Sequence, residues 1–177
     1  MVSDPRMGAS GATGIIRGPG AGLVVPLGDA AEVTLKVTGE ETDGRLSAYE
    51  CTVPPATAGP PVHLHRGWDE AFYVLEGEMT FLIDGQTSLA PAGSFVFIPR
   101  SIPHTFWNES MAPARQLTVF TPSGIEAYFA DVTQVMAAGG GESLETAMAV
   151  MERHDMVVLP GERPAYGALA DSDPPTG

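Results

Sequence analysis

Between residues 31 and 121 the chain is a succession of strand-length runs rich in Val, Ile, Thr, Phe and Tyr: EVTLKVTG, RLSAYECTV, EAFYVLEG, EMTFLIDG, SFVFIP, HTFWN and RQLTVFTP. Most of these runs close on glycine or proline, and EETDG, between the first two, carries the hairpin-type turn pair Asp43-Gly44. Runs this short and this heavily punctuated bury an apolar face only by pairing with one another. The sequence therefore predicts an all-β unit, a sandwich or a small barrel.

The period changes after Pro122. In SGIEAYFADVTQVMAA, Ser123 stands three residues before Glu126, a capping-box spacing, and Ile125, Tyr128, Phe129, Val132 and Met136 recur close to helical spacing. Glycines at 139–141 stop the run, and ESLETAMAVMERH predicts a second amphipathic helix before a short strand and a loose tail. Residues 1–22, rich in Gly, Pro, Ala and Ser, read as a flexible arm available to a partner subunit. The organisation expected is an arm over 1–22, a β unit over 23–122 and a helical segment with tail over 123–177. No internal repeat is seen.

A length of 177 residues suffices for one domain with a real core, and 44% hydrophobic against 18% charged residues is ordinary for a globular chain. The net charge of −13 repels phosphate backbones and anionic headgroups, so the sequence predicts no nucleic-acid and no membrane partner. No apolar run approaches the length of a membrane span, and the first residues lack a signal-peptide core. The single cysteine, Cys51, can form no internal disulfide, which fits a cytoplasmic setting.

Two of the four histidines sit one residue apart in PPVHLHRGWDEAFYVLEGE. On a strand, His63 and His65 share a face and Leu64 takes the other. Two such imidazoles either converge on one ion, at about 2.0–2.2 Å from each nitrogen, or form a polar patch on a strand edge. The short RGWD turn, with Gly67, lets Glu70 return beside them and open the next strand with Phe72 and Val74 on its own face. In PRSIPHTFWN, alternation places His104, Phe106 and Asn108 on one face and Thr105 and Trp107 on the other. Asp69 should then face solvent.

These residues resemble the two motifs of the cupins. The first motif, Gly-x5-His-x-His-x3,4-Glu-x6-Gly, is matched by His63, His65, Glu70 and Gly77, with Gly59 two positions out of place, only four before His63. The second, Gly-x5-Pro-x-Gly-x2-His-x3-Asn, is matched by Gly93, Pro99, His104 and Asn108, with Ser101 in place of the inner glycine. The resemblance spans about residues 45–121. It implies a small antiparallel jelly-roll barrel holding one divalent metal ion (iron, manganese, nickel, cobalt, copper or zinc) on His63, His65, Glu70 and His104. Asn108 would support the strand end.

The resemblance also implies a small-molecule substrate and a homodimer, and the segment after the barrel is similar to that of quercetinase-like cupins. The activity expected is a metal-dependent dioxygenase in which Glu70 is a ligand and also the catalytic base. Two further readings stand beside it: a non-redox isomerase, cyclase or dehydratase using the ion as a Lewis acid, and a cupin that binds a small ligand without turnover. Phe72, Phe97, Phe106 and Phe120 are expected in the core, Cys51 as a buried small hydrophobe, and His154 at a helix C-terminus. Trp68 lines the pocket mouth or caps its rim; the facing of Tyr49 is open.

Overall fold

The computed structural model of the protein describes residues 14–27, 32–138 and 144–159. In chain order its strands are β1 (Leu23–Pro26), β2 (Glu32–Val37), β3 (Ser47–Val53), β4 (His63–His65), β5 (Asp69–Glu76), β6 (Glu78–Ile83), β7 (Gln86–Pro91), β8 (Phe95–Ile98), β9 (His104–Trp107) and β10 (Ala114–Thr121). Helices α1 (Ile125–Ala137) and α2 (Leu144–Arg153) follow, and β11 (Met156–Val158) comes last. Strands form two antiparallel sheets, ordered β1-β2-β3-β10-β5-β8 and β11-β4-β9-β6-β7. The mostly-β architecture with two trailing helices is as expected; β1 and β7 are strands that the sequence did not mark.

Alternation builds the inner faces. On β10, Ala114, Gln116, Thr118 and Phe120 are buried, while Arg115, Leu117 and Val119 face the other way. On β5, Glu70, Phe72 and Val74 share the buried face, as their spacing predicted. Two apolar clusters result. One gathers Val53, Phe72, Val74, Met79, Phe81, Ala90, Ile98 and Ala114 from both sheets. In it the Phe72 and Phe81 rings meet edge-on with centroids 5.0 Å apart; burying each contributes about 1.5–3 kcal/mol. The other joins Val33, Leu35, Tyr49 and Phe120 to Ile125 and Phe129 of α1, with Met151 and Met156 beyond. The helices therefore close one end of the β unit.

Several local expectations are corrected. Ser123 is not the N-cap of α1; Gly124 is, at φ 139°, a conformation that suits glycine, and a Cβ there would stand 2.9 Å from the Trp68 ring. Glu126 still supplies its half of the cap by accepting the Gly124 N–H at 3.2 Å, and it also accepts the Gly39 N–H at 2.7 Å. The Asp43-Gly44 pair does turn with both residues at positive φ, but it follows a 3-10 turn, Glu40–Thr42, instead of forming a tight hairpin. Phe97 is 54% exposed, not core, because its parity on β8 aims it off the outer face beside Phe95. The His154 ring meets the Asp131 carboxylate at 2.9 Å, tying the end of α2 to α1.

Of the predicted arm, residues 14–22 are described and exposed, with Arg17 paired to Glu41 of its own chain. Residues 1–13, the 139–141 glycines and the tail from 160 lie outside the described residues. Among the described residues no helix is long and apolar enough to cross a membrane.

Candidate metal centre

Register brings the distant motifs together. β4 and β9 are antiparallel with His63 directly opposite His104, and alternation sets His65 on the same face as His63. Glu70 comes from the facing sheet, at the start of β5 and opposite Phe120 of β10. The ring centroids of His63 and His104 are 4.5 Å apart, and those of His65 and His104 are 5.2 Å apart. All four side chains are buried. One ligand atom from each of His63, His65, Glu70 and His104 lies within 4.8 Å of all the others. Two donors on opposite sides of one ion would span about 4.4 Å, so the cluster has the right size.

The hydrogen bonds around the rings decide which nitrogens are available. His63 Nδ1–H donates to the Pro61 carbonyl at 2.8 Å, and His104 Nδ1–H to that of Ile102 at 2.9 Å. This backbone anchoring fixes the tautomer and presents each Nε2 lone pair inward. Neutral His104 then faces Glu70 Oε2 across 3.0 Å, acceptor against acceptor. A proton or a cation between them removes the conflict. His65 Nε2 meets the same oxygen at 3.2 Å, and its buried Nδ1 has no partner among the described residues. Three imidazoles and a carboxylate are a donor set of borderline softness, fit for a divalent transition ion.

The electrostatics agree with that fit. Burial, reinforced by its neighbours His104 and His65, pushes His63 down to about 3, so it is neutral and able to ligate at pH 7. For Glu70, burial works to raise the pKa, but the hydrogen bonds to His104 and His65 prevail and hold it at about 2, ionised. His104 is drawn upward by Glu70 against its own desolvation. The cluster thus holds a buried carboxylate that pulls a positive charge toward His104.

Neighbouring residues hold these four side chains in place. Asp69 does point outward, as alternation requires, but it is not simply solvated. It accepts from Arg100 at 2.6 and 3.0 Å and from the Arg100 backbone N–H at 2.9 Å, pinning the turn that leads into His104. In that turn Ser101 adopts φ 67° where the motif has glycine, and its N–H donates to the His65 carbonyl at 2.6 Å. Asn108 is fully buried and its amide donates to the carbonyls of Val53, Pro54 and Ala112 at 2.9–3.0 Å. Its oxygen accepts from the Ser110 N–H and hydroxyl, so it supports the strand end as expected. Thr105, on the opposite face of β9, is also buried because the loop before β4 crosses there, and its hydroxyl donates to the Pro60 carbonyl at 2.6 Å.

A cavity of about 290 Å³ opens beside His63, His65 and Glu70. Its wall is largely apolar, with Phe106, Phe120, Phe129 and Met151 among its residues, and no Lys or Arg among the described residues lines it. Tyr49, whose facing the sequence left open, lines it too, as do Tyr128 and Met156 of the C-terminal segment. Helical spacing marks Tyr128 as apolar-face but not as cavity wall, and no spacing rule marks Tyr49 or Met156. Trp68 is a rim residue, packed between His65 at 5.5 Å and Phe120 at 5.6 Å. Cys51 is half-buried on the cavity wall, and desolvation pushes its thiol up to about 12, so it stays protonated. A larger open groove, about 830 Å³, lies under residues 14–17 on the outer face of the first sheet and contains none of the histidines.

Comparison with known proteins gives a family model, the cupin domain, matching residues 49–120. Among solved structures, an RmlC-like cupin from Shewanella frigidimarina NCIMB 400 is 19% identical, with a TM-score of 0.54, over 65% of this chain and 96% of that one. TT1209 from Thermus thermophilus is 33% identical over 45% of this chain and 74% of its own, with a TM-score of 0.42. The polyketide cyclase RemF from Streptomyces resistomycificus is 28% identical over 52% of this chain and 66% of its own, with a TM-score of 0.47. No curated protein matches the sequence.

Proposed function

This chain belongs to the cupin superfamily, and we propose that it is a metal-dependent enzyme acting on a small, oxygen-bearing organic substrate, most simply as a dioxygenase. In this reading the two sheets form a jelly-roll barrel, and His63, His65, Glu70 and His104 hold one divalent ion inside it. The observation that carries the reading is the convergence of four buried donors beside a cavity of about 290 Å³. That volume lies at the small end of ligand pockets, about 300–1,000 Å³, so the substrate is a compact ring system and not a polymer.

A bound redox-active ion would supply the electron transfer that lets dioxygen react with an organic molecule. The chain's own residues do the rest. His63 and His104, tethered through Nδ1 to backbone carbonyls, keep their Nε2 atoms fixed where they would hold the ion. Phe106, Phe120 and Phe129 exclude water and stack on an aromatic or enolic ring. Glu70 balances the charge of the ion and takes the proton from a substrate hydroxyl. The pull of two imidazoles that makes it a good ligand also makes it a weak base, so the base role requires its carboxylate to let go of His65 or His104 first.

The donor set also favours a second reading: three imidazoles and a carboxylate suit redox-inert zinc as well as iron or copper, and a Lewis-acid isomerase, cyclase or dehydratase would use the same four residues. Oxygen uptake separates the two. Iron- or copper-loaded protein should consume dioxygen with a flavonol or enediol panel, and zinc-loaded protein should not. Turnover by the zinc form without oxygen uptake would move the assignment to the second reading. Either reading requires His104→Ala to weaken metal binding by roughly 100-fold or more; stoichiometric metal in that variant by elemental analysis would end both. The homodimer belongs to this reading as well, supported by Tyr73, Phe95 and Phe97, which stand exposed on the outer face of the first sheet.

A further inference from the structure

Rings line the cavity in an unbroken file. Starting at the cluster, His65 meets Phe120 edge-on with centroids 5.5 Å apart, and Phe120 meets Tyr49 at 6.2 Å. Tyr49 then meets Phe129 at 5.0 Å, and Phe129 meets Tyr128 at 5.4 Å. All of these side chains are cavity wall. The C-terminal segment supplies the end of the file, together with Ile125, Met151 and Met156. Most of what it supplies is apolar, as an enclosing wall requires. Tyr128 alone among these C-terminal residues brings a hydroxyl, where phenylalanine would fill the same space.

A half-buried phenol normally finds a hydrogen-bond partner. Tyr49, the other phenol of the wall, has one in the Thr118 hydroxyl. Tyr128 differs. Burial raises its pKa, and no hydrogen bond or charge among the described residues adds to that effect or offsets it. The phenol is therefore protonated at neutral pH and has its proton to give. Both Glu70 and Tyr128 raise the Tyr49 pKa, whereas Glu70 does not act on Tyr128. Together with the file of rings, this puts Tyr128 at the end of the cavity away from the cluster. The ring is well held there. His154 packs edge-on against it with centroids 5.9 Å apart, and the Asp131 carboxylate fixes His154 at 2.9 Å. The one histidine that takes no part in the cluster thus steadies the ring that carries this hydroxyl.

We infer that Tyr128 is a specificity-determining residue, its hydroxyl donating a hydrogen bond to a neutral oxygen of the ligand at the end of the cavity away from His63, His65 and Glu70. The inference rests on the reading of this cavity as the site of a small organic molecule, and it deepens that reading. The substrate carries one oxygen function toward the cluster and a second at the opposite end of its ring system. The second oxygen is neutral because Glu32 and Glu70 line the cavity and no Lys or Arg among the described residues does, so a carboxylate or phosphate would be repelled. Between the two ends the wall is mostly aromatic, a surface for a flat ring.

The test is equilibrium titration of matched pairs into zinc-loaded protein, with zinc content and thermal melts measured in parallel. One pair is allomaltol and kojic acid, which is allomaltol with a hydroxyl on its methyl group. The longer pair is flavonol and flavonol hydroxylated at the para position of its pendant ring. Within each pair the chelating end is the same and only the distal hydroxyl differs. In at least one pair the wild type should bind the hydroxylated member about tenfold more tightly, the worth of one hydrogen bond between neutral groups. Tyr128→Phe should erase that preference while affinity for the other member, zinc content and melting temperature stay as they were. A hydroxyl with a merely structural role would instead lower the melting temperature and weaken both members alike. A preference that survives in Tyr128→Phe, or a wild type that prefers neither hydroxylated member, overturns the assignment and leaves the cavity reading standing. A zinc-loaded wild type that binds none of the four compounds overturns both.

Discussion

Asn108 and Gln116 are both carboxamides with no solvent exposure, eight positions apart on the approach to and along β10. Asn108 makes three donor contacts and accepts two; Gln116 has the Cys51 thiol beside it and, among the described residues, no oxygen or nitrogen partner. In the collar around Asn108 every polar atom of that side chain holds the loops to each other. The interior around Gln116 and the four candidate ligands is the opposite: buried donors and acceptors face one another, or stand beside a thiol or phenol hydroxyl. The difference separates a polar residue that ties loops to one another from polar residues held inward between the two sheets.

That contrast is open to direct attack. The largest effect is expected for Asn108→Ala, which strands three carbonyls and should cost about 3–4 kcal/mol in denaturant unfolding; a loss below about 1 kcal/mol would erase the distinction from Gln116. Next comes the acid response of the metal-free protein. His63 is held at about 3 and Glu70 at about 2 when folded, below their ordinary values of 6.5 and 4.5. The unfolded chain therefore binds more protons, and stability is lost as pH falls, through 6.5 toward 3 for His63 and through 4.5 toward 2 for Glu70. His104, raised by Glu70, works in the other sense, its contribution being full below 6.5 and fading as pH rises through its folded value. Melts of chelator-treated protein should accordingly drop by several degrees between about pH 7 and 4. A flat profile would mean that the cluster is not as desolvated as its burial implies.

Smaller effects sharpen the structural side. Glu126→Ala removes the acceptor shared by Gly39 and Gly124 and should cost about 1–2 kcal/mol without changing metal content. Metal lost along with stability would show that α1 is part of the centre. Smallest of all, Ser101→Gly relieves a left-handed residue at the expense of chain entropy and should stabilise by at most about 1 kcal/mol.

Spacing makes the centre legible in the sequence because metal chemistry leaves a local record. His63 and His65 share a strand face by parity alone, and Glu70, Phe72 and Val74 do the same on the next strand. What parity cannot say is which faces are covered from outside. Phe97, expected inside, stands exposed, since nothing in SFVFIP shows that the outer face of that edge strand lies open. Thr105 faces away from the histidines yet is buried, because a loop more than 40 residues upstream crosses it. Ser123 yields the cap to Gly124, where the Trp68 ring leaves no room for a side chain, a contact across the fold. Gln116 and Thr118 are legible in part: RQLTVFT puts two polar residues on the face of Phe120, and only the register against Cys51 and Tyr49 shows what they stand beside.

The short strand β4 has a further consequence. It pairs with β9 at one position, His63 with His104, but with β11 at three, Met156 with His65, Leu64 with Val157 and His63 with Val158. The pair of imidazoles thus takes most of its backbone alignment from a segment some ninety positions later. These rings lack most of their backbone pairing until residues 156–158 are in place, so a cation held by the proposed centre would be gripped only after that late segment has docked on β4.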